Sequence, residues 1–408
     1  MVAVAAVEED AGGPTVTVRE FDADSDRDHA AVERLERACE VGPSGGKGKP
    51  CLFTDLLGDP LCRVRHSPAY LMLVAEAAGG GGGAGEIVGV VCGCVKTVAC
   101  GRGSLFSKVA YLLGLRVSPA HRRRGIGRRL VARMEEWFRQ TGAEYAYVAT
   151  DRDNEPCVRL FTARCGYAKF RTPSVLVHPV FRHDVAPSRS GRVAVVALPP
   201  RDAELIYRRH FAGVEFFPRD IDAVLSNPLS LGTFLAVPAG VPWRGAEAFL
   251  AAPPESWAVA SVWNCKDAFR LEVRGAPRLW RAAARATRAA DRALSPWLLR
   301  VPSVPNLFEP FGMHFIYGLG GAGAAAPRMC RALCRHAHNL ARRGGARVVA
   351  TEVGACDPIR GGVPHWPRLG AEDLWCMKRL ADGYGDGAIG DWSKAPPGDA
   401  IFVDPREF

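Results

Sequence analysis

No apolar run among the 408 residues approaches the roughly 20 that a membrane-spanning helix needs, so no span is expected. The opening stretch MVAVAAVEEDAGG has no basic leader, and Glu8, Glu9 and Asp10 follow a short apolar run, which argues against a secretory signal. The 13 cysteines are odd in number and scattered. They lack the paired short spacings of a zinc ribbon and suggest no disulfide framework. Cys92 and Cys94 lie two apart on an expected strand and point the same way. Reduced thiols in an intracellular compartment are therefore expected. Nor is a metal expected: Cys330, Cys334 and His338 share one helix face, and one straight helix rarely supplies a tetrahedral set.

What is present is ordinary for a globular chain: 48% hydrophobic and 24% charged residues, enough to bury a core. The length suggests two or three domains. Lysine and arginine number 53 against 43 acidic residues, a balance of +10 that favours an anionic partner: a nucleotide cofactor, nucleic acid or an acidic protein.

Periodicity gives an order of elements. TVTVREF (15–21) alternates as a strand, and DRDHAAVERLERACE (26–40) reads as an amphipathic helix with Asp26 as its cap. Residues 69–77, 86–99 and 108–117 read as strands, with the tract GGGGGAG (79–85) as a hairpin loop. A helix over 126–142, a strand over 143–151 and a short helix over 154–166 follow, with YAKFR and SVLVHPV closing the unit. Strand, helix and strand over 108–151 form a right-handed crossover. The adjoining hairpins make the sheet mixed. A polar break, RHDVAPSRSG (182–191), suits a linker, and the pattern then begins again. Strand, glycine loop, helix and strand over 311–354 parallel 108–151, with a basic helix (276–294) as an insertion. Its arginines 278, 281, 285, 288 and 292 form a stripe read as a solvated face or a partner surface.

The segment LRVSPAHRRRGIGRRL (115–130) carries chemistry. Gly125 and Gly127 stand where the chain turns into a helix, and glycine lets a backbone approach a ligand closely. The first amides of a helix lack internal partners and, with its dipole, bind phosphate. Arg122, Arg123 and Arg124 add charge. The dinucleotide fingerprint would need a third glycine where Leu130 stands, and GPSGGKGK (42–49) is one residue short of a P-loop.

This strand–loop–helix, with Asn154, Leu160-Phe161 and Gly166-Tyr167 downstream, resembles the acetyl-CoA loop of the GCN5-related N-acetyltransferases. CEVGPSG, LFTDLLGDPLCRVRHSP, ESWAVASVWNCKD, DLWCMKRL and IFVDPREF resemble the plant hookless-type N-acetyltransferases along nearly the whole chain. The resemblance implies an α/β fold with a mixed sheet, in two tandem acetyltransferase-like domains. A terminal segment (1–14), expected to be disordered, precedes the acetyl-CoA-binding domain (15–182). A linker (183–191) and a degenerate second domain (192–408) follow. It implies acetyl-CoA as co-substrate, held by Leu115, Arg116, Val117, Arg122, Arg123, Arg124, Gly125, Ile126, Gly127, Arg128, Asn154 and Phe161. It also implies direct transfer to an amine, with histone or another protein lysine as acceptor. Further implications are a nuclear or otherwise cytoplasmic location and roles in plant development, apical-hook formation and ethylene and auxin responses. A catalytically weak acetyl-CoA-binding scaffold is the alternative.

Two departures bear on catalysis. Phe161 replaces a family tyrosine and has no proton to give. The strand before the loop has no acid, only Tyr111. Asp151 and Glu76, at strand ends, are the other candidates, each also read as a solvated charge. The second glycine run, GLGGAG, has no arginine before it and is expected to bind cofactor poorly. His66 and His121 flank expected loops without a visible partner, and His336 is expected on a helix surface. Cys157 and Cys165 read as packing residues. No DNA-reading motif is present, so direct nucleic-acid binding is not expected.

Overall fold

A computed structural model describes residues 15–42, 50–78, 85–101, 105–188, 191–294, 302–381 and 390–408. The expectations for 1–14 and for most of the tracts at 43–50 and 79–85 lie outside these residues. No helix among them is long and apolar enough to cross a membrane.

The first half runs β1 (Val16–Glu20), α1 (Asp26–Ala38), β2 (Cys51–Asp55), β3 (Ala69–Ala77), β4 (Glu86–Ala99), β5 (Phe106–Val117), α2 (Ile126–Gln140), β6 (Tyr145–Asp151), α3 (Glu155–Arg159), β7 (Ala168–Arg171) and β8 (Ser174–Pro179). The second runs β9 (Val193–Leu198), α4 (Pro200–Phe211), α5 (Ile221–Leu225), β10 (Ser230–Pro238), α6 (Ala246–Ala251), β11 (Trp257–Asn264), β12 (Arg270–Arg274), α7 (Arg278–Leu294), β13 (Met313–Ala322), α8 (Ala326–Gly344), β14 (Val348–Val353) and β15 (Ala371–Arg379). The cap of α1 is Ser25 rather than Asp26: the Ser25 hydroxyl accepts from the Asp28 amide at 3.3 Å.

One sheet contains 13 of the strands, in the order β1-β3-β4-β5-β6-β15-β8-β14-β13-β11-β10-β9, with β7 beside β15. The order has a pseudo-two-fold centre. Strands β1, β3, β4, β5 and β6 mirror β9, β10, β11, β13 and β14. SVLVHPV does not close the first unit: β8 lies antiparallel to β14, while β15 lies antiparallel to β6. Each half thus lends its last long strand to the other. A small second sheet, β12 with β2, also joins the halves.

Three apolar clusters follow this layout. Ile126, Leu130, Met134 and Phe138 seat α2 on one face of the first half. Cys330, Leu333, Cys334 and Ala337 seat α8 on the second, so those two cysteines are core residues. The largest cluster runs beneath both halves, from Val32 and Leu35 of α1 through Ile206 and Tyr207 of α4 to Trp392 and Phe402. The buried faces are continuous across the seam, as in a single core.

In each half one parallel strand pair opens partway along. Strands β5 and β6 pair from Val109–Tyr145 to Leu112–Val148. Strands β13 and β14 pair from Met313–Val348 to Ile316–Thr351. Beyond those points β5 bonds to β4, and β13 to β11, across a bulge. The bulges hold Gly114 (φ 62°) and Gly318 (φ 58°), a backbone region that favours glycine. The strands diverge after four pairs, leaving a V-shaped gap in each half.

Candidate active site

The two gaps differ in contents. In the first half, β5 runs through Leu115, Arg116 and Val117 to the turn before α2. Arg123 (φ 65°) and Gly125 (φ 77°) both have left-handed backbones, so the turn is concave. The first ladder bond into α2 is Arg129 N–H to Gly125 C=O at 3.0 Å. The amides of Ile126, Gly127 and Arg128 precede it and have no intrahelical acceptor. A Cβ on Gly127 would lie 3.4 Å from Leu160, with Val117 and Leu115 close behind. The loop therefore sits tight against both the end of β5 and the segment after α3. Arg123, Arg124 and Arg128 are exposed and make no ion pair among the described residues. Arg122 donates to Val117 C=O at 3.2 Å, and Arg116 pairs with Glu36 of α1 at 3.1 Å. The loop thus has free amides and uncommitted positive charge, the requirements of a pyrophosphate site.

In the second half the glycines are not a loop. Gly318, Gly320 and Gly321 lie within β13. A Cβ on Gly318 would sit 2.5 Å from the Tyr207 ring, and one on Gly321 2.3 Å from Trp257 C=O. Glycine is there for close packing. The amide of Ala325 donates to the Ser256 hydroxyl (3.1 Å), and those of Ala326 and Arg328 to Gly323 and Ala325 carbonyls. Phe211, Tyr317 and the C-terminal residues Ile401, Phe402 and Val403 fill the gap itself, leaving only a narrow void.

The remaining sequence candidates are placed as follows. Asn154 caps α3, accepting from the Cys157 amide at 3.4 Å, and its own amide group donates to Gly42 C=O at 3.2 Å. Phe161 is buried edge-to-face against Tyr167, 5.2 Å between centroids. Glu76 is held by Arg19 (2.7 Å) and Arg27 (2.9 Å), and the Arg19 bond keeps it below the usual carboxylate range. Tyr111 is buried with its ring 4.7 Å from Tyr147, and burial lifts its hydroxyl well above the usual tyrosine range. Beneath it a buried network joins Tyr147 to Glu407 (2.6 Å), Glu407 to Lys96 (2.6 Å), Lys96 to Asp404 (3.1 Å), and Asp404 through Arg406 to Asp220 (2.6 Å). Cys157 is half-buried and Cys165 buried, both in the packing under α2. All 13 cysteines are free.

Several histidines have partners the sequence did not show. His66 meets the Asn227 amide group at 3.1 Å, and His338 accepts from the Phe181 amide at 2.8 Å. His336 is half-buried over Phe234, 4.4 Å between centroids, rather than on the surface. The basic helix α7 exposes its start, with Leu279 80% and Trp280 53% exposed, while Ala284 and Asp291 are buried and Asp291 accepts from the Ser303 hydroxyl at 2.6 Å.

Asp151 ends β6 beyond the opening of the gap and is half-buried, and burial raises its carboxyl. Directly opposite, in register, stands Asp373 of β15. Burial, with Asp151 and Glu372 alongside, pushes the Asp373 carboxyl up to about 7. Glu352 of β14, beyond β8, is fully buried, raised first by burial, and accepts from the Trp375 indole at 2.9 Å. Sequence reading missed Asp373 and Glu352. Their strands reach β6 and β8 only through pairing between residues far apart in sequence, and DLWCMKRL has no period that announces it.

A parallel pair that splits beside a helix start with free amides is the arrangement of an acyl-CoA-dependent transferase fold. Residues 33–167 match the acetyltransferase (GNAT) family. The chain is 58% identical to "Probable N-acetyltransferase HLS1" of Arabidopsis thaliana over 412 residues, covering 96% of this chain and 99% of that one. Identity is 57% to the Arabidopsis "Probable N-acetyltransferase HLS1-like", with the same coverage. It is 43% to "Acetyl transferase GW6a" of Oryza sativa subsp. japonica, over 96% and 97%. Among solved structures, Saccharomyces cerevisiae N-myristoyltransferase with bound myristoyl-CoA aligns over 92% of this chain and 81% of that one, with a TM-score of 0.54 at 8% identity, a likeness of fold. The chain belongs to the hookless-type N-acetyltransferase family, a GNAT acyltransferase whose co-substrate is acetyl-CoA.

Proposed function

We propose that the gap between β5 and β6 is the acetyl-CoA site and that the protein acetylates an amine by direct transfer. One observation carries this reading: of two matching gaps, only the first has, among the described residues, free helix-start amides beside the unpaired Arg123, Arg124 and Arg128. The amides of Ile126, Gly127 and Arg128 would hold the pyrophosphate, with Arg123, Arg124 and Arg128 around it. Bound acetyl-CoA supplies the acetyl thioester. Main-chain amides on the open edge of β5 near Leu115 would donate to its carbonyl, where charge develops during transfer. Asn154 would hold α3 and the Gly42 turn at the cofactor's side, and Phe161 would support the wall from within the core. The division into a cofactor-binding half and a degenerate half follows from the filled second gap.

The acceptor class, histone or other protein lysine, rests on family resemblance. So do the nuclear site of action and the roles in hook formation and in ethylene and auxin responses. The test is calorimetry with acetyl-CoA on the wild type and on Gly125→Val/Gly127→Val, followed by an acceptor screen. Loss of binding in a double variant with unchanged near-UV circular dichroism is expected. Unchanged affinity would refute the assignment.

A further inference from the structure

An amine that arrives as its ammonium must lose a proton before it can attack the thioester, and a positioned base makes that loss fast. Of the candidates singled out in the sequence, Glu76 and Tyr111 do not serve, and neither do the nearby Glu372 and Glu352. Glu76 is locked between two arginines, two strands away from β5. Tyr111 is buried with a hydroxyl that does not ionise near neutrality. Glu372 accepts from the Ser174 hydroxyl at 2.8 Å and lies 3.5 Å from Arg360. Glu352 is enclosed and bonded to Trp375.

Two carboxylates remain beside the gap. The β5–β6 ladder ends at Val148, and Asp151 is the third residue beyond, on the edge that β5 has left. Alternation places Asp151 on the same sheet face as Tyr147, the face covered by α1. The turn after α1 closes over it, where a Cβ on Gly42 would lie 3.9 Å from Asp151 Oδ2. Asp373 is its cross-strand partner, and directly opposed residues have Cβ atoms ~5 Å apart. Neither makes an ion pair among the described residues. Asp151 Oδ1 accepts the Asp153 amide at 2.8 Å, and two like charges so placed do not both ionise readily, so repulsion adds to burial in favouring a proton on the pair.

Building on the acetyl-CoA site proposed above, we propose that Asp151 and Asp373 act together as the proton acceptor for the incoming amine. A strand of the second half then supplies half of the base used at the gap of the first. The ammonium N–H bond breaks, its proton passes to a carboxylate oxygen of the pair, and its electron pair stays on nitrogen as the nucleophile. The pair later releases that proton to solvent. Desolvation and mutual repulsion place the exchange near neutral pH, where a base works best. The charged groups facing the pair are Arg152 and Asp153 after β6, Glu372 on β15, and Glu352 on β14 with Glu407 behind it. Only Arg152 is positive, so the surroundings hold the carboxyls up.

The test uses the full chain with Asp151→Asn, Asp373→Asn and Asp373→Glu. Infrared titration of the protonated-carboxyl band, without cofactor, is expected to show a proton lost with a midpoint near 7 in the wild type. Asp373→Asn should lose that step, and Asp151→Asn should shift it to lower pH by removing the repulsion. Calorimetric affinity for acetyl-CoA should stay within about twofold, because free binding energy comes from the loop. With polylysine as amine, kcat should fall ~100-fold or more in either Asn variant, with partial recovery in Asp373→Glu. Carboxyls that titrate only near the ordinary ~4, or Asn variants with the wild-type rate and pH profile, would overturn the pair. The infrared arm decides the pair even for an amine the wild type does not use. A wild type that fails to bind acetyl-CoA would instead overturn the site reading.

Discussion

His314 is 2% exposed on β13, and its Nδ1 meets no hydrogen-bond partner. Burial, with Lys266 nearby, lowers its pKa to about 4. The unfolded chain therefore binds more protons than the folded one between the ordinary 6.5 and 4, and stability falls as pH drops through that window. Denaturant unfolding should give about 2 kcal/mol less stability from this residue at pH 5 than at pH 7. His314→Gln should flatten that part of the slope, and an unchanged slope would refute the cause. Lys96 poses a sharper case. Its ammonium is buried between Asp404 and Glu407, and the pairing outweighs burial to raise it. Lys96→Met should cost roughly 3–5 kcal/mol, because it leaves the buried Glu407 carboxylate without its cation while Asp404 keeps only Arg406. A loss under 1 kcal/mol in chemical denaturation would mean that water reaches the site.

At the scale of elements, local pattern was enough for strands set by neighbours in sequence. The expected strands 69–77 and 86–99 coincide with β3 and β4, whose apolar runs are buried on both faces. The crossover β5–α2–β6 was equally legible, as were the loop glycines and arginines, because helix starts carry local signals. Strands β2, β12 and β15 were not. AEDLWCMKR has polar ends and a short apolar centre, and what makes it a central strand is β6 on one side and β8 on the other. The run GLGGAG shows the converse. Glycine reads as a loop residue, but here it admits the Tyr207 ring and the Trp257 carbonyl against a strand. The filled second gap leads to a further expectation. Phe402 is 1% exposed within it, so Phe402→Ala should cost about 3–5 kcal/mol in urea unfolding. A near-neutral effect would show that the tail does not plug the gap.

For the whole molecule, exchange of β8 and β15 makes each half incomplete without the other. A cut at the polar break near 182–191 would leave β6 with an unpaired edge in an isolated 15–182 fragment, an invitation to aggregation. Calorimetry of the intact chain should show one transition, with calorimetric and van't Hoff enthalpies agreeing. Two resolved transitions would contradict a core that runs beneath both halves.

Both halves carry the same bulge, the same four-pair parallel ladder and a following helix, but among the described residues only the first combines free helix-start amides with unpaired arginines. The most direct measurement is a calorimetric titration of the intact protein with acetyl-CoA at micromolar concentration. One site per chain, lost in Gly125→Val/Gly127→Val, is the predicted result. Two equivalent sites, or one that survives in that double variant, would contradict it.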